Sequence, residues 1–336
     1  MILVTGATGM VGAQILFDLT SKGQKVRAFR RPSSNLKVVH RIFKNHLQQL
    51  DLVEWVEGDV TDFFSLEDAM EGIDTVYHSA AFISFHKSDR NQMMRINVDG
   101  TANLVNLSLE KGVKRFCHIS SVAAIGRTAG ESKVNENSVW KTSKENSNYA
   151  ISKYAGEREV WRGIEEGLPG VILNPTIIIG PGDWNVGSSQ MFQSVWKGLS
   201  FFAPGSTGFV DVRDVARAAI LLNEKGITGK RYIINSENLP YKTVFNAIAR
   251  AMGKREATIE VTPFLGEIGW RAEALRSFIL RKKTLVTKET VRNGIQNWEY
   301  SNEKIKKEFG FEFISDRKST RLNSSHLKLS RMPSSA

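Results

Sequence analysis

Short apolar runs alternate with stretches of helical periodicity through the first half of the chain. The apolar runs predict strands at Ile2–Val4, Lys25–Phe29, Leu52–Glu57, Thr75–His78, Arg115–Ser120 and Val171–Pro175. The periodic stretches between them predict helices at Gly12–Lys22, Ser65–Met70, Asn91–Lys111 and Asn148–Glu166. Strands that alternate with helices are typical of βαβ units, so the pattern predicts an α/β fold built on a parallel sheet.

The pattern becomes irregular after Pro175, beginning with a turn cluster at Gly180–Asp183. A later apolar run at Arg231–Asn235 predicts one further strand of the sheet. Tyr241–Met252 and Glu267–Leu280 predict helices of a smaller C-terminal region. We see no internal repeat and no clear linker, which indicates that the two parts share a cleft.

The composition is that of an ordinary globular protein, since 41% of the 336 residues are hydrophobic and 24% are charged. No apolar run approaches the ~20 residues that a membrane helix needs, and the first predicted strand leaves no room for a signal peptide. Cys117 is the single cysteine, so an intrachain disulfide is excluded, as suits a reducing compartment. We therefore expect a cytoplasmic protein without a membrane span, with Cys117 in the core.

The formal net charge of +11 raises the question of nucleic-acid binding. Residues 316–336 supply +4 of it, from five Lys or Arg and one Asp, and +7 remains for the rest. The other basic residues are scattered and form no stripe interleaved with aromatic residues. We therefore expect no nucleic-acid partner.

Residues 316–336 have no helical or strand periodicity. Asp316–His326 and Ser330–Ala336 match, in the right order, the in-frame translation of a common sequencing adapter, and Leu327–Leu329 would cover its variable index. We predict that this segment is a disordered adapter translation and exclude it from the fold. The natural sequence is then expected to depart from this chain after about Ser315.

A glycine-rich loop joins the first predicted strand to the first helix. Gly6, Gly9 and Gly12 have the spacing in which the first glycine permits a tight turn, the second lets the backbone approach a pyrophosphate, and the third lets the helix pack closely. The helix N-terminus adds amide donors and the positive end of the helix dipole. The loop predicts dinucleotide binding by Thr5, Gly6, Thr8, Gly9, Met10 and Gly12.

The end of the second strand favours NADP over NAD. A carboxylate there would bind both ribose hydroxyls of NAD, but the chain has Arg30 and Arg31, and an arginine can pair with the 2′-phosphate of NADP. We predict Arg31 as the phosphate ligand with Arg30 stacked on the adenine, and two solvated arginines with NAD as the alternative. The other residues predicted to line the cofactor follow the third and fourth strands: Asp59, Val60, Ala80 and Ala81.

A catalytic group is predicted at the carboxyl edge of the sheet. Ser121 follows the fifth strand, where open α/β sheets bind ligands, and Tyr149 and Lys153 share one face of the next helix. An ammonium near the phenol favours phenolate, so Tyr149 is predicted to exchange a proton near neutral pH rather than near pH ~10. Ser121 would polarise a substrate oxygen and Lys153 would bind the nicotinamide ribose. This chemistry indicates hydride transfer between a nicotinamide and a carbonyl or alcohol.

Residues 1–315 resemble the extended short-chain dehydrogenase/reductase family, also described as the NAD-dependent epimerase/dehydratase group. The motifs that carry the resemblance are Thr5–Gly12, Asp59, Ser120–Ser121, Tyr149–Lys153, Asn174–Thr176 and Phe209–Val215. The resemblance implies a Rossmann-like doubly wound sheet that forms an NAD(P)-binding domain over residues 1–175, completed by 209–235, and a mainly substrate-binding region over 176–315.

The resemblance also implies roles for individual residues. Ser121, Tyr149 and Lys153 match the family's catalytic triad, and Asn174 and Pro175 match cofactor contacts. Asn97 matches an asparagine near the active site, with a capping or structural role left open. The helices Asn91–Lys111 and Asn148–Glu166 match those that pair family homodimers.

Within the family, Val26–Pro32 is most similar to the NADP-binding strand of dihydroflavonol-reductase-like members. Sugar 4,6-dehydratases carry a threonine and an acidic pair where this chain has Ser121, Val122 and Ala123, so dehydration is not expected. We predict an oxidoreductase that transfers hydride between NADPH and a small-molecule substrate with a carbonyl or alcohol group. The alternatives are a nucleotide-sugar epimerase that retains NAD, and a non-catalytic NADP-sensing or RNA-binding protein. No metal site is predicted, because the histidines lack zinc-ligand spacing.

Overall fold

The computed structural model describes residues 1–126, 133–143, 146–280 and 287–314. The strands are β1 (Ile2–Thr5), β2 (Val26–Arg30), β3 (Val53–Glu57), β4 (Thr75–His78), β5 (Arg115–Ile119), β6 (Lys133–Val134), β7 (Gly170–Pro175), β8 (Ile177–Ile179), β9 (Phe201–Phe202), β10 (Ser206–Asp211), β11 (Lys230–Ile234), β12 (Glu237–Pro240), β13 (Ile259–Glu260) and β14 (Glu299–Tyr300). The helices are α1 (Met10–Ser21), α2 (Lys37–Ile42), α3 (Phe63–Ala69), α4 (Arg90–Met94), α5 (Gly100–Glu110), α6 (Asn148–Glu165), α7 (Gln190–Trp196), α8 (Val212–Glu224), α9 (Tyr241–Met252), α10 (Pro263–Leu280), α11 (Lys288–Ile295) and α12 (Glu303–Phe309). A π-helical turn, Arg95–Asp99, joins α4 to α5.

Seven parallel strands form the central sheet, in the order β3-β2-β1-β4-β5-β7-β11. The winding direction reverses between β1 and β4, so a crevice opens at the carboxyl ends of these strands, where such sheets bind ligands. The strands are short apolar runs because a parallel sheet is covered by helices on both faces. The predicted α/β, Rossmann-like doubly wound class is confirmed, and β11 is the further strand predicted near Arg231.

Helices cover both faces of the sheet. On one face α1 and α8 pack together over residues such as Val4 and Cys117, and on the other α5 and α6 cover Leu3 and Phe116. Successive strand residues point to opposite faces, which separates Phe116 from Cys117. Cys117 is fully buried in the core, as predicted.

A smaller region lies beyond β7. Strands β8, β10 and β12 form a separate sheet, and α7 and α9 pack together beside it around Phe192, Phe209 and Ile248. Of the segment 209–235, α8 and β11 join the central layers, whereas β10 belongs to this small sheet. The domain boundaries remain predictions, and the predicted adapter segment 316–336 lies outside the described residues. None of the helices in the described ranges has the length and apolarity needed to cross a bilayer.

A partly buried carboxylate lies on α1, which packs against α8. Asp18 accepts a hydrogen bond from Gln14 Nε2 at 2.8 Å, yet burial dominates and raises its pKa from 3.8 to about 6. The attraction of Arg217, Lys22 and Arg213 offsets only part of this rise. Because the folded pKa lies above the unfolded one, the cost of ionising Asp18 is absent below pH ~4, grows up to pH ~6 and is complete above it.

We expect Asp18→Asn to raise the free energy of unfolding by roughly 1–2 kcal/mol at pH 8, since asparagine removes the charge and keeps the hydrogen-bond acceptor. At pH ~4 the variant should gain nothing. Urea unfolding at the two pH values measures the difference, with Asp51→Asn at an exposed position as the control. Equal stabilisation at both pH values would contradict a cost that arises from ionisation.

Candidate active site

The glycine loop turns sharply between β1 and α1. Gly6 has a φ of +66°, in the left-handed region that glycine tolerates, and a Cβ on Gly6 would lie 2.6 Å from Ala80 N. A Cβ on Gly12 would lie 2.3 Å from Gly6 O, so a glycine at position 12 lets α1 start directly against the loop. Gly9 N donates to Gly6 O at 2.9 Å, immediately before α1 begins at Met10. The N-terminus of α1 therefore opens onto the crevice in an arrangement that favours anions.

An open cleft of about 200 Å³ runs from this loop across the carboxyl ends of β1 to β4. Its lining includes these residues that the sequence predicted: Gly6, Thr8, Gly9, Arg30, Arg31, Asp59, Val60, Ala80 and Ala81. It also includes residues that the sequence did not assign to it: Phe29, Ser34, Gly58, Ser79, Phe82 and Ile96. Thr5 lies behind the cleft, fully buried, with its hydroxyl oxygen 2.7 Å from His78 Nδ1. Met10 and Gly12 lie in α1, and Asn174 and Pro175 end β7.

The two arginines at the end of β2 have different surroundings. The strand register pairs Arg30 with Glu57, and their side chains form an ion pair of 2.6 Å. The Arg30 guanidinium lies 5.9 Å from the centroid of the Trp55 ring, and its buried Nε has no hydrogen-bond partner among the described residues. Arg31 is exposed where it lines the cleft. Arg31 thus presents its charge to solvent, whereas the charge of Arg30 is shared with Glu57 and Trp55.

Ser121 and Tyr149 meet beyond the carboxyl end of β5. The Ser147 side chain caps α6 by accepting a hydrogen bond from a backbone amide at 2.8 Å, which sets Tyr149 in the first turn. The Tyr149 and Ser121 side chains are hydrogen-bonded to each other. The ring of Phe85 lies edge-on to Tyr149, with centroids 6.0 Å apart. The phenol is therefore held between a polar partner and an apolar one.

Lys153 lies one turn further along α6, and its side chain is buried. Its Nζ donates to Ile119 O at 3.1 Å, at the end of β5. Burial lowers the pKa of Lys153 from 10.5 to about 8, and the negative charge of Glu157 opposes that shift. Lys153 therefore remains mostly protonated at pH 7.

The predicted lowering of the Tyr149 pKa is wrong for this structure. Burial raises the pKa of Tyr149, and the hydrogen bond with Ser121 offsets only part of the rise. The Lys153 ammonium donates to the Ile119 carbonyl instead of stabilising a phenolate. Ser121, Tyr149 and Lys153 lie together at the carboxyl end of β5, in what we call the Ser121 corner. Desolvation rather than the lysine sets the proton affinity of the phenol there.

Asn97 ties this corner to the segment that follows β4. It lies in the π turn, where its Oδ1 accepts from Phe82 N at 2.7 Å and its Nδ2 donates to Phe82 O and Ser152 Oγ, each at 3.0 Å. Asn97 is thus near the active site and has a structural role there. It fixes Phe82 in the cleft and holds the following residues against α6.

Residues 83–85 give the corner an apolar rim. Ser84 is buried and donates to Asp89 Oδ2 at 2.7 Å, so Ile83 and Phe85 on either side of it point outward and are 40% and 38% exposed. Ile83 lies beside Gly187, next to Val186, which is 54% exposed. We call Ile83, Phe85 and Val186 the apolar rim.

Sequence reasoning missed Glu157, which continues the face of α6 that carries Tyr149 and Lys153. Its buried carboxylate accepts from Ser120 Oγ at 2.6 Å and from Asn174 Nδ2 at 2.7 Å. Asn174 is itself fully buried, and its Nδ2 also donates to Ser121 O at 2.9 Å. The spacing held a signal, since positions 149, 153 and 157 recur every four residues along one helix face. A glutamate in that pattern is typical of a solvated surface until a buried partner is known.

Comparison with known proteins identifies the family. The profile described as the NAD dependent epimerase/dehydratase family matches residues 2–235. The sterol demethylase protein B of Methylococcus capsulatus is 32% identical over 268 residues, which cover 78% of each chain. A putative dihydroflavonol 4-reductase of Synechocystis is 33% identical over 258 residues, or 74% of this chain and 72% of the relative.

Solved structures share the fold over nearly the full length. The crystal structure of gox2253 superposes with a TM-score of 0.80 and 27% identity, covering 98% of both chains. The agreement extends beyond the sheet into the smaller C-terminal region. It supports the same doubly wound architecture that the strand order gives.

Proposed function

The chain belongs to the NAD dependent epimerase/dehydratase family, and from that premise we propose that it is an NAD(P)-dependent oxidoreductase. The reaction we propose is hydride transfer between NADPH and a carbonyl or alcohol. The observation that carries the proposal is the convergence of Ser121, Tyr149 and Lys153 at the carboxyl end of β5. β5 is the neighbour of β4, and the residues that follow β4 line the cleft. A serine, a tyrosine and a lysine are the residue types that such a reaction needs.

Tyr149 is the proton donor in the direction of reduction. A bound nicotinamide supplies the hydride in reduction or accepts it in oxidation. The raised pKa of Tyr149 keeps the proton on the phenol at neutral pH, so the phenol can give that proton to the oxygen of a substrate carbonyl. Ser121 donates a hydrogen bond to the same oxygen and polarises the carbonyl. Lys153 holds the nicotinamide ribose with its buried ammonium.

NADP is the preferred cofactor in this proposal. Arg31 lines the cleft with its charge exposed, and Arg30 lines it with a buried Nε that has no hydrogen-bond partner in the described part of the chain. A 2′-phosphate would pair with the exposed guanidinium of Arg31, because the charge of Arg30 is already met by Glu57. Asp59, Val60, Ala80 and Ala81 would border the adenosine half, and the amides of the glycine loop would meet the pyrophosphate.

We assign the substrate to the class of bulky apolar carbonyls or alcohols. Phe85 of the apolar rim packs edge-on against the Tyr149 ring, and Ile83 and Val186 are further exposed apolar side chains of that rim. A nucleotide sugar would place polar hydroxyls and phosphates against these side chains at a cost in desolvation. The names of two relatives, a sterol demethylase protein and a putative dihydroflavonol 4-reductase, refer to ring-containing compounds of this kind.

The test begins with calorimetric titration of NADP and NAD into the purified protein. Aldehydes, ketones and nucleotide sugars are then screened by nicotinamide absorbance. We expect NADPH oxidation with apolar carbonyls. Tightly bound NAD in the purified protein, with interconversion of a nucleotide sugar, would favour the epimerase instead. Absence of dinucleotide binding would contradict both.

We expect Arg31→Ala to weaken NADP binding by roughly 10–100-fold, because it removes a charge-assisted hydrogen bond to the 2′-phosphate. NAD affinity serves as the internal control and should stay within about twofold, since NAD has no such phosphate. Calorimetry with both cofactors measures the two dissociation constants. An unchanged ratio between them would remove Arg31 from the site.

A further inference from the structure

Glu157 is a buried carboxylate that the proposed mechanism does not use. It is 2% exposed, and it lies one helical turn beyond Lys153 on the same face of α6. Besides Ser120 and Asn174, it accepts from Trp161 Nε1 and Arg231 Nη1, both at 3.3 Å. A buried charge is retained at a cost unless its partners satisfy it, and here four donors do so.

Two of these donors lead directly to the Ser121 corner. Ser120 is the residue before Ser121, and its hydroxyl donates to Glu157 Oε2 at 2.6 Å. Asn174 Nδ2 donates to the same oxygen and also to Ser121 O at 2.9 Å. The Glu157 carboxylate therefore holds the backbone of Ser121 in place through two contacts. One is with Ser120, directly after β5, and the other is with Asn174 in β7.

Glu157 also acts on Lys153 through its charge. Its negative charge raises the pKa of Lys153 against the effect of burial. The other titratable groups around the ammonium are Tyr149 on α6, His78 on β4 and His118 on β5. Burial and the Lys153 charge lower the pKa of both histidines, to about 3 for His78, so they are neutral at working pH.

Arg231 extends the connection to the segment that precedes α6. Besides its pair with Glu157, its guanidinium donates to Glu136 O at 2.7 and 2.9 Å and to Ser138 O at 3.0 Å. Trp140, two residues later, stacks on Tyr154 with centroids 4.3 Å apart. The charge on Arg231 is thus shared between the Glu157 carboxylate and backbone carbonyls. Arg231 therefore does not fully neutralise Glu157, and the negative charge of Glu157 acts on Lys153.

We propose that Glu157 is a positioning residue of the redox site, which fixes the Ser121 corner and supplies the counter-charge for the Lys153 ammonium. This inference rests on the proposed function, because it assigns Lys153 to the cofactor and Ser121 to the substrate. It differs from a role in folding alone, since removing the charge should change how the site responds to pH.

Glu157→Gln is the test, because glutamine keeps the shape and an acceptor oxygen while removing the charge. NADPH affinity should fall as the pH rises. We expect the midpoint of that fall to lie at least one pH unit lower in the variant than in the wild type. We also expect kcat for a substrate found in the screen to fall by roughly 10–100-fold at pH 8, with KM changed by less than about threefold. NADPH fluorescence titrations from pH 6 to 9.5 measure the midpoint, and thermal melts report folding.

Glu159→Gln is the matched control, since Glu159 lies on the same helix and its carboxylate pairs with Arg162 at 3.0 Å on the outer face. It should leave both the midpoint and kcat at wild-type values. A folded Glu157→Gln variant with a wild-type midpoint and kcat would overturn the proposal. If Glu157→Gln fails to fold, Ser120→Ala decides, because it deletes one hydrogen bond and keeps the charge. A lowered kcat in Ser120→Ala would then support the proposal, and a wild-type kcat would overturn it.

Lys153→Met separates this inference from the function on which it rests. If that variant binds NADPH as the wild type does at every pH, Lys153 is not at the cofactor and the proposed function fails. If Lys153→Met weakens binding while Glu157→Gln leaves it unchanged, the Glu157 inference fails alone.

Discussion

Tyr149→Phe is expected to lower kcat by roughly 100–10,000-fold with any carbonyl that the protein reduces. The substitution removes the phenolic proton and the hydrogen bond with Ser121, but keeps the ring that packs against Phe85. Affinity for NADPH and the melting temperature should therefore stay near the wild-type values. Single-turnover absorbance measurements separate the chemical step from binding.

Tyr154→Phe is the matched control for this experiment. Tyr154 lies on the same helix, but its ring stacks on Trp140 and belongs to a different face from the Ser121 corner. It should retain nearly full activity. Turnover by Tyr149→Phe at a wild-type rate would show that another group donates the proton and would refute the proposed mechanism.

Gly12→Ala is expected to abolish measurable NADP binding, with a loss of at least about 100-fold in affinity and roughly 2–4 kcal/mol in stability. A Cβ at this position would lie 2.3 Å from Gly6 O and 2.9 Å from Ala7 Cα, and both neighbours are backbone atoms. Relief of the clash has to displace either the glycine loop or α1. Either movement disturbs the amides that would face the pyrophosphate. Calorimetric titration and urea unfolding measure the two effects.

Gly269→Ala provides the control, because Gly269 also lies inside a helix and a Cβ there would meet no atom within 4 Å. Alanine favours a helix over glycine by about 0.5–1 kcal/mol in both variants, so the difference between them isolates the clash at the loop. Full cofactor affinity in Gly12→Ala would mean that the loop does not hold the dinucleotide.

The features that the sequence predicted well are those encoded in neighbouring residues. The spacing of Gly6 and Gly12 predicted the loop. Helix α6 begins and ends within one residue of the predicted helix. Apolar runs located each strand of the central sheet, because a strand covered by helices on both faces is rich in apolar side chains. Chain order then brought Ser121 and Tyr149 to the same edge.

The features that the sequence did not predict depend on contacts between distant elements. The ion pair of Arg30 follows from the register that sets it opposite Glu57, and a strand end read in isolation carries no register. The Tyr149 pKa was misjudged because the carbonyl of Ile119 lies within reach of Lys153 only in the folded chain. Glu157 was missed because its four donors come from the residue after β5, from β7, from β11 and from α6 itself.

Because Cys117 is deeply buried, reaction of its thiol can report the unfolding of the protein. Its thiol is fully buried at the centre of the sheet, and it is the one cysteine among the 336 residues. Burial also raises its pKa, so the reactive thiolate is suppressed in the folded state. A thiol reagent should therefore label the chain only in molecules whose sheet has opened. The rate of labelling, followed by mass spectrometry in cell lysate as readily as in buffer, would report the stability of each variant without any added chromophore or tag.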